Sequence, residues 1–302
     1  MVVLGDLILD VVLAPTRSLE AGSDVPGRVL LVQGGSAANV ARWLGRLGAK
    51  SSLVAAVGRD ATGRALVKAV RSDRVTAHVS RVAGARTGRI GVLVATDGER
   101  SFVQDRGAAE LLEPGELRAA WFAGADAVHL PIYSLLGGRL GAAGRRAIEL
   151  GRAAGSTVSV DLASRAPLMA DGRRAALDLV RETAPDILFA TTAEAEALLG
   201  GGRLEGMLEF ASIIVIKRGS KGATVFARDG IDSLRFEVAT VALPASDTTG
   251  AGDAFDAGFL IGWFSARAAG RSLSASLHRA AVAGHRAAAR QLSTPRVELS
   301  LG

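Results

Sequence analysis

Short β-branched runs alternate along this chain with longer Ala- and Leu-rich stretches, and that rhythm restricts it more than any other property. A strand that rejoins its own sheet in parallel needs a crossover of a dozen or more residues, normally a helix, so the alternation predicts a parallel sheet covered by helices. Strands are predicted near Val2–Leu4, Ser52–Val57, Ala127–Leu130, Thr157–Asp161, Ile187–Ala190 and Ile213–Lys217. Helices are predicted at Ala37–Leu47, Thr62–Ser72, Gly138–Ala154, Asp171–Thr183 and Thr192–Leu199, with two long ones at about Gly252–Ala269 and Ser272–Gln291. In the last of these, Leu277, Ala281, Gly284 and Ala288 form one small-residue face suited to close packing.

Two stretches break the rhythm, residues 14–34 and 88–106. Within the second, GRIGVLVATDGERSFVQD reads as a hairpin turning at Asp97-Gly98. They pair either into a small separate sheet, a lid over the polar and Gly-rich segments beside them, or into an edge hairpin of the main sheet. On the lid reading, the α/β body takes residues 1–13, 35–87 and 107–302, and the lid takes 14–34 and 88–106.

Composition narrows the class of function. No uncharged apolar run approaches the ~18 residues of a membrane-spanning helix. The apolar start, MVVLGDLILDVVLAP, has no basic leader and is interrupted by Asp6 and Asp10, so no export signal is expected. Absence of cysteine excludes disulfides, cysteine-ligated zinc and thiol catalysis, and agrees with a cytoplasmic setting. The four histidines, at 78, 129, 278 and 285, lack metal-ligand spacing. A net charge of +6 suits a polyphosphate substrate as well as a nucleic acid. The arginines are spread along the chain, however, and 4% aromatic residues give little base-stacking surface, so the expected partner is a small molecule, with no nucleic acid and no membrane.

The segment with the most chemistry is Asp247-Thr-Thr-Gly-Ala-Gly-Asp253-Ala-Phe-Asp-Ala-Gly-Phe259, a glycine-rich turn opening into an amphipathic helix. Gly250 and Gly252 let the backbone turn tightly, so that the N–H groups of residues 250–253 converge on an anion at the positive helix end. A carboxylate in such a hole repels phosphate. Asp253 makes sense there as a base that accepts a proton from an attacking hydroxyl, which is the arrangement of a kinase; a helix-start carboxylate favoured by the macrodipole is the plainer alternative. No G-x-x-x-x-G-K-[ST] loop occurs, and Gly250-Ala-Gly252-Asp-Ala-Phe255 lacks the third glycine of a dinucleotide fingerprint.

DTTGAGDAFDAGF resembles the C-terminal signature of the PfkB carbohydrate kinases, and GGSAANVARWLGRLGA at 34–49 resembles their N-terminal one. The resemblance covers nearly the whole chain. It implies a ribokinase-like α/β fold with a central, mostly parallel sheet flanked by helices and a small β-sheet lid, ATP and Mg2+ as cosubstrate and metal, and a homodimer formed through the lid.

Carried over residue by residue, the resemblance makes Asp253 the catalytic base and Gly250, Ala251 and Gly252 the anion hole. Asp247 and Thr249 lie where some members bind a monovalent cation such as K+. Gly5-Asp6-Leu-Ile-Leu-Asp10 resembles the first strand, whose final aspartate accepts hydrogen bonds from substrate hydroxyls, so Asp10 is a substrate-binding residue. Gly34, Gly35 and Asn39 match Gly-Gly-x-x-x-Asn at the substrate. Thr191 and Glu194 match N-x-x-E, which organises Mg2+ through water, with Thr191 where asparagine is usual; both equally suit an ordinary helix start. Lys217, Gly219 and Gly222 match the nucleotide loop T-x-G-x-x-G, Lys217 replacing threonine, although a solvated Lys-Arg cluster reads the same way. Asp161-Leu-Ala-Ser-Arg165 resembles D-x-N-x-R, which places Arg165 at an acidic substrate group or on a nearby carboxylate. The expected activity is phosphorylation of a sugar or sugar acid. A nucleoside kinase of the same fold is the alternative, and a ligand-binding regulator that has lost catalysis is the alternative from another class.

Overall fold

A computed structural model describes residues 1–96, 100–241 and 247–301. In chain order its elements begin with β1 (Val2–Leu4), β2 (Ile8–Pro15), β3 (Gly27–Gly34), α1 (Ser36–Arg46), β4 (Ser51–Gly58), α2 (Ala61–Ser72), β5 (Val75–Val82), β6 (Thr87–Val94) and β7 (Arg100–Gly107). They continue with β8 (Ala127–Pro131), α3 (Gly138–Ala153), β9 (Thr157–Asp161), α4 (Arg165–Leu168), α5 (Gly172–Thr183), β10 (Ile187–Thr191) and α6 (Thr192–Leu199). The last part holds β11 (Ile213–Lys217), β12 (Ala223–Asp229), β13 (Asp232–Val238), α7 (Ala251–Ala268) and α8 (Leu273–Ser293).

The main sheet has the order β13-β12-β11-β10-β9-β8-β1-β4-β5. The strands from β11 to β5 are mutually parallel, and β12 and β13 add an antiparallel hairpin at one edge. Alternation along each strand supplies two cores. Val2 and Leu4 face α3, α5 and α6, whereas Val3 faces α1 and α2; Val54 and Ala56 divide from Leu53, Ala55 and Val57 in the same way. Fully burying each aliphatic side chain of this size stabilises the fold by about 1.5–3 kcal/mol relative to exposure.

A second sheet, β3-β2-β6-β7, carries its own small core of Ile8, Val12, Val32, Ile90 and Val92. β2 pairs antiparallel with β3 but parallel with β6, and β6 and β7 pair antiparallel. The hairpin thus belongs to a separate sheet rather than to the edge of the main one; its expected turn at Asp97-Gly98 lies outside the described residues. The second sheet begins at Ile8, so residues 8–13, which the sequence reading gave to the α/β body, are one of its strands. The chain leaves the main sheet at Gly5, where φ is +155° and a Cβ would lie 2.4 Å from Ser134 Oγ.

The two C-terminal helices pack through small residues, as their sequence face predicts. A Cβ on Gly258 would lie 2.6 Å from the Ala283 carbonyl oxygen, and one on Gly284 would lie 2.9 Å from the Phe255 ring. Leu277, Ala281 and Ala288 join Phe255 and Phe259 in the same core. The start of α7 is thereby held rigidly against α8. No helix of the described residues is long and apolar enough to cross a membrane.

Candidate functional site

The turn before α7 is built as its glycines suggest. Gly250 takes φ +75° and caps the helix, the Ala254 N–H donates to its carbonyl at 2.9 Å, and Asp253 falls in the first turn. Asp253 receives two donors from α1: Ser36 Oγ at 2.7 Å on Oδ1 and Asn39 Nδ2 at 2.8 Å on Oδ2. Burial pushes its carboxyl up to about 6, against the opposing pull of Asn39 and Ser36. Asn39 is oriented in turn by Gln33, whose Nε2 donates to Asn39 Oδ1 at 3.2 Å, and Gln33 accepts from Arg42. The backbone of the turn has its own support. Gln291 Nε2 donates to the Thr249 carbonyl at 2.9 Å, while Gln291 Oε1 accepts from the Trp43 indole at 3.0 Å.

Asp253 and Asp10 line one cavity of about 500 Å3, with Gly35, Asn39, Thr191, Glu194, Lys217, Gly219, Thr249, Gly250 and Gly252 also on its wall. Asp10, on β2, is buried, and burial pushes its carboxyl up to about 7, with Arg296 opposing. Gly34 has no room for a side chain, since a Cβ there would lie 2.0 Å from Asp10 Oδ1. Asp6 accepts the Ala37 N–H at 3.1 Å and Arg106 Nη1 at 3.1 Å, and the Arg106 guanidinium stacks 3.9 Å above the Tyr133 ring.

Asp247 faces two guanidiniums. Arg100 Nη2 lies 2.9 Å from its Oδ1 and Arg296 Nε lies 3.1 Å from its Oδ2. Burial raises the Asp247 carboxyl, but the Thr249 N–H, Arg296 and Arg100 outweigh it and hold the pKa below the ordinary value. Arg296 also reaches Asp10 at 3.4 Å. Its segment is tied to the second sheet, where the Leu299 N–H donates to the Leu31 carbonyl at 2.7 Å and Glu298 bridges to Val32.

Under the Gly250–Asp253 turn lies a buried charge cluster. Lys217 Nζ is 2.9 Å from Asp161 Oδ2 and 3.2 Å from Asp256 Oδ2. Burial disfavours its charge, but Asp161, Asp256 and Glu194 overcome this and raise its pKa. Lys217 lines the cavity with its ammonium on these carboxylates; the partners expected from the sequence were triphosphate oxygens. Thr191 caps α6, accepting the Glu194 N–H at 3.3 Å, while Glu194 Oε2 accepts the Thr191 N–H at 2.7 Å. The helix-start reading of that pair is therefore realised, yet both still face the cavity.

Five expected residues are absent from the cavity wall. Ala251 sits between Gly250 and Gly252, which line it, and Gly34 and Asp247 abut its residues Asp10 and Arg100. Arg165 opens the four-residue α4 with its side chain exposed and does not line the cavity, although Ala163 and Ser164 just before it do. Gly222 is also absent from the wall; it takes φ +86° in the turn into β12, where a Cβ would lie 2.1 Å from the Val238 carbonyl oxygen. Ser36, Asp256, Arg100, Arg106 and Arg296 were not singled out by the sequence. Asp256 stands one helical turn after Asp253, and Arg100, Phe102, Gln104 and Arg106 alternate along β7 towards the cavity, so a period-two reading of the hairpin finds them. Arg296 carries no local signal.

A divalent cation such as Mg2+ takes oxygen donors and keeps several waters. No group of three or more Asp, Glu, His or Cys among the described residues makes an all-protein cage. Buried Asp161 Oδ1 has no hydrogen-bond partner among the described residues, and Glu194 lines the same cavity. One or two carboxylates beside a glycine-rich helix start fit Mg2+ held mainly by phosphate and water.

The chain is similar to known proteins over nearly its whole length. The pfkB family of carbohydrate kinases matches residues 1–298. Fructokinase-2 of Solanum lycopersicum is 30% identical over 267 residues, covering 84% of this chain and 79% of the relative. Among solved structures, the adenosine kinase of Sinorhizobium meliloti superposes with a TM-score of 0.83 at 25% identity, over 99% of this chain and 96% of the other. The putative ribokinase II of E. coli, solved with ATP and Mg2+, superposes at 0.81 with 20% identity, over 98% of this chain and 93% of its own.

Proposed function

The chain belongs to the pfkB family, has the ribokinase-like fold and is an ATP-dependent carbohydrate kinase, and from that premise we propose that it transfers the γ-phosphoryl group of ATP to a hydroxyl of a small sugar or sugar acid, with Asp253 as the base. The observation that carries this reading is the position of Asp253: a carboxylate in the first turn of α7, directly after Gly250-Ala251-Gly252, in one cavity with Asp10.

The acceptor hydroxyls hydrogen-bond to Asp10, close to the Gly34-Gly35 backbone. Asp253 takes the proton of the attacking hydroxyl, and Ser36 and Asn39 hold its carboxylate in the ionised form and in one rotamer. The N–H groups of the Gly250–Asp253 turn stabilise the charge that develops on the transferred group. ATP approaches from the side of Thr191, Gly219 and Lys217, where Lys217 holds the floor of the hole together through Asp161 and Asp256. Mg2+, when bound, neutralises phosphate charge, and Glu194 with Asp161 would hold it through water. K+ is not needed to balance Asp247, whose two oxygens already face guanidiniums.

A second reading, a nucleoside acceptor, is supported by the similarity to an adenosine kinase structure. Against it, the acceptor end carries Asp6, Asp10 and Arg106, while Tyr133 is covered by the Arg106 guanidinium. ADP release from MgATP across sugars, sugar acids and nucleosides, with and without K+ and with the Asp253→Asn variant in parallel, tests the proposal. Turnover with a carbohydrate, lost in the variant, supports it; turnover with nucleosides alone overturns the substrate class.

A further inference from the structure

A second cavity, of about 310 Å3, lies between α1, the end of α8 and the segment 294–297. Four arginines line it: Arg42 and Arg46 from α1, Arg290 from α8, and Arg296. No aspartate or glutamate does. Arg42 and Arg46 share one carboxylate, Asp73, with Arg46 Nε 3.0 Å from its Oδ1 and Arg42 on its Oδ2. Arg290 forms no ion pair with any described residue, and the two carboxylates on Arg296 belong to the catalytic side, where Asp10 lines the first cavity. Four arginines thus line one concavity that carries no carboxylate among the described residues: Arg42 and Arg46 lean on Asp73, Arg296 on Asp10 and Asp247, and Arg290 on no described carboxylate.

The two cavities share a wall. Asn39 lines both, and Arg296 lines the second while bonded to Asp10 in the first. Planar guanidinium forks match the tetrahedral oxygens of phosphate, and several forks around one cavity select it over a lone carboxylate.

We propose that this arginine-lined cavity is an effector site for the phosphoryl group of a small molecule, either free phosphate or a sugar phosphate. An anion there competes with Asp10 and Asp247 for Arg296. Releasing Asp10 weakens its grip on the acceptor, and linkage requires acceptor binding to weaken the anion by the same factor. That coupling rests on the reading of Asp10 as the acceptor-binding residue; the anion site itself does not.

The test is calorimetric titration of the full chain, without ATP or acceptor, with inorganic phosphate and with glucose 6-phosphate. Wild type is compared with the Arg46→Gln/Arg290→Ala double variant and with Asp10→Asn. The expected result is one site per chain whose affinity falls at least tenfold in the double variant and survives in Asp10→Asn. Equal affinity for the two probes identifies free phosphate as the ligand, and binding of glucose 6-phosphate alone identifies a sugar phosphate. Unchanged affinity in the double variant, or no binding of either probe at millimolar concentration, overturns the proposal. Neither altered arginine touches the catalytic groups, so turnover without the anion stays unchanged and reports that the double variant is folded. Binding is read without turnover, so failure of the kinase reading and failure of this site remain distinguishable.

Discussion

The amide of Asn39 and the carboxylate of Asp253 meet at 2.8 Å although 214 positions separate them in the chain. The contact joins the first helix to the seventh and gives Asp253 one of its two side-chain donors. Hydrogen bonds to charged groups are worth about 1.5–3 kcal/mol. Asn39→Ala should therefore lower turnover by about tenfold or more and move the acid limb of the pH–rate profile upward, because the carboxylate loses a group that favours its ionised form. Ser36→Ala should move the limb the same way. A drop in rate with an unmoved limb would show that Asn39 acts only on packing.

The profile itself is a second expectation. Burial holds Asp253 up to about 6 and Asp10 up to about 7. Rate should therefore climb as both ionise, with the acid limb of kcat/KM between pH 6 and 7 and the two groups titrating as a pair. An acid limb near pH 4 would mean that neither group is desolvated in solution.

The same shifts fix a sign for stability. Both carboxyls bind protons more tightly folded than unfolded, where they titrate near ~4, so the native state carries more protons between about pH 4 and 7 and stability falls as pH rises through that window. Asp253→Asn removes one of these charges. It should raise Tm at pH 8, with about 3 kcal/mol as the ceiling from the linkage, while reducing turnover by a factor of about 100 or more. Thermal melts at about pH 5 and pH 8 check both halves: the gain should be roughly halved at pH 5 and gone only below about pH 4.

Lys217 offers the opposite case. Removing it strands two buried carboxylates, and breaking a buried pair costs about 3–5 kcal/mol. Lys217→Met should destabilise by that order, and Lys217→Met/Asp256→Leu should recover part of the loss. If the single variant melts normally and only the KM for ATP rises, the ammonium works on the nucleotide rather than on the floor of the site.

Much of this was legible in advance, for reasons that differ by element. The parallel strands and their helices announce themselves because each buried face imposes a local period, and the Gly250–Asp253 turn because glycine and a carboxylate at a helix start are a rare local combination. The passage from β1 to β2 was not legible. Residues 2–13 read together as part of the α/β body, and the change of sheet at Gly5 depends on a close approach to Ser134, 129 residues away by numbering. β5 and β13 were missed because edge strands carry polar residues and weak alternation, and β12 with its hairpin partner β13. Lys217 was placed at the nucleotide because its partners, Asp161 and Asp256, come from other elements and converge only on folding. Arg296 reaches Asp10 across a separation of 286 positions, which no local pattern encodes.

The Trp43 indole donates to the same Gln291 side chain that grips the Thr249 carbonyl, and only 7% of the residue is exposed. With three tryptophans in the chain, this ring is a built-in optical probe of the turn that precedes Asp253. A ligand that reshapes that backbone disturbs the indole's hydrogen bond, so the emission of Trp43, isolated by replacing Trp121 and Trp263 with phenylalanine, turns a change in the Gly250–Asp253 turn into a colour that can be followed in real time.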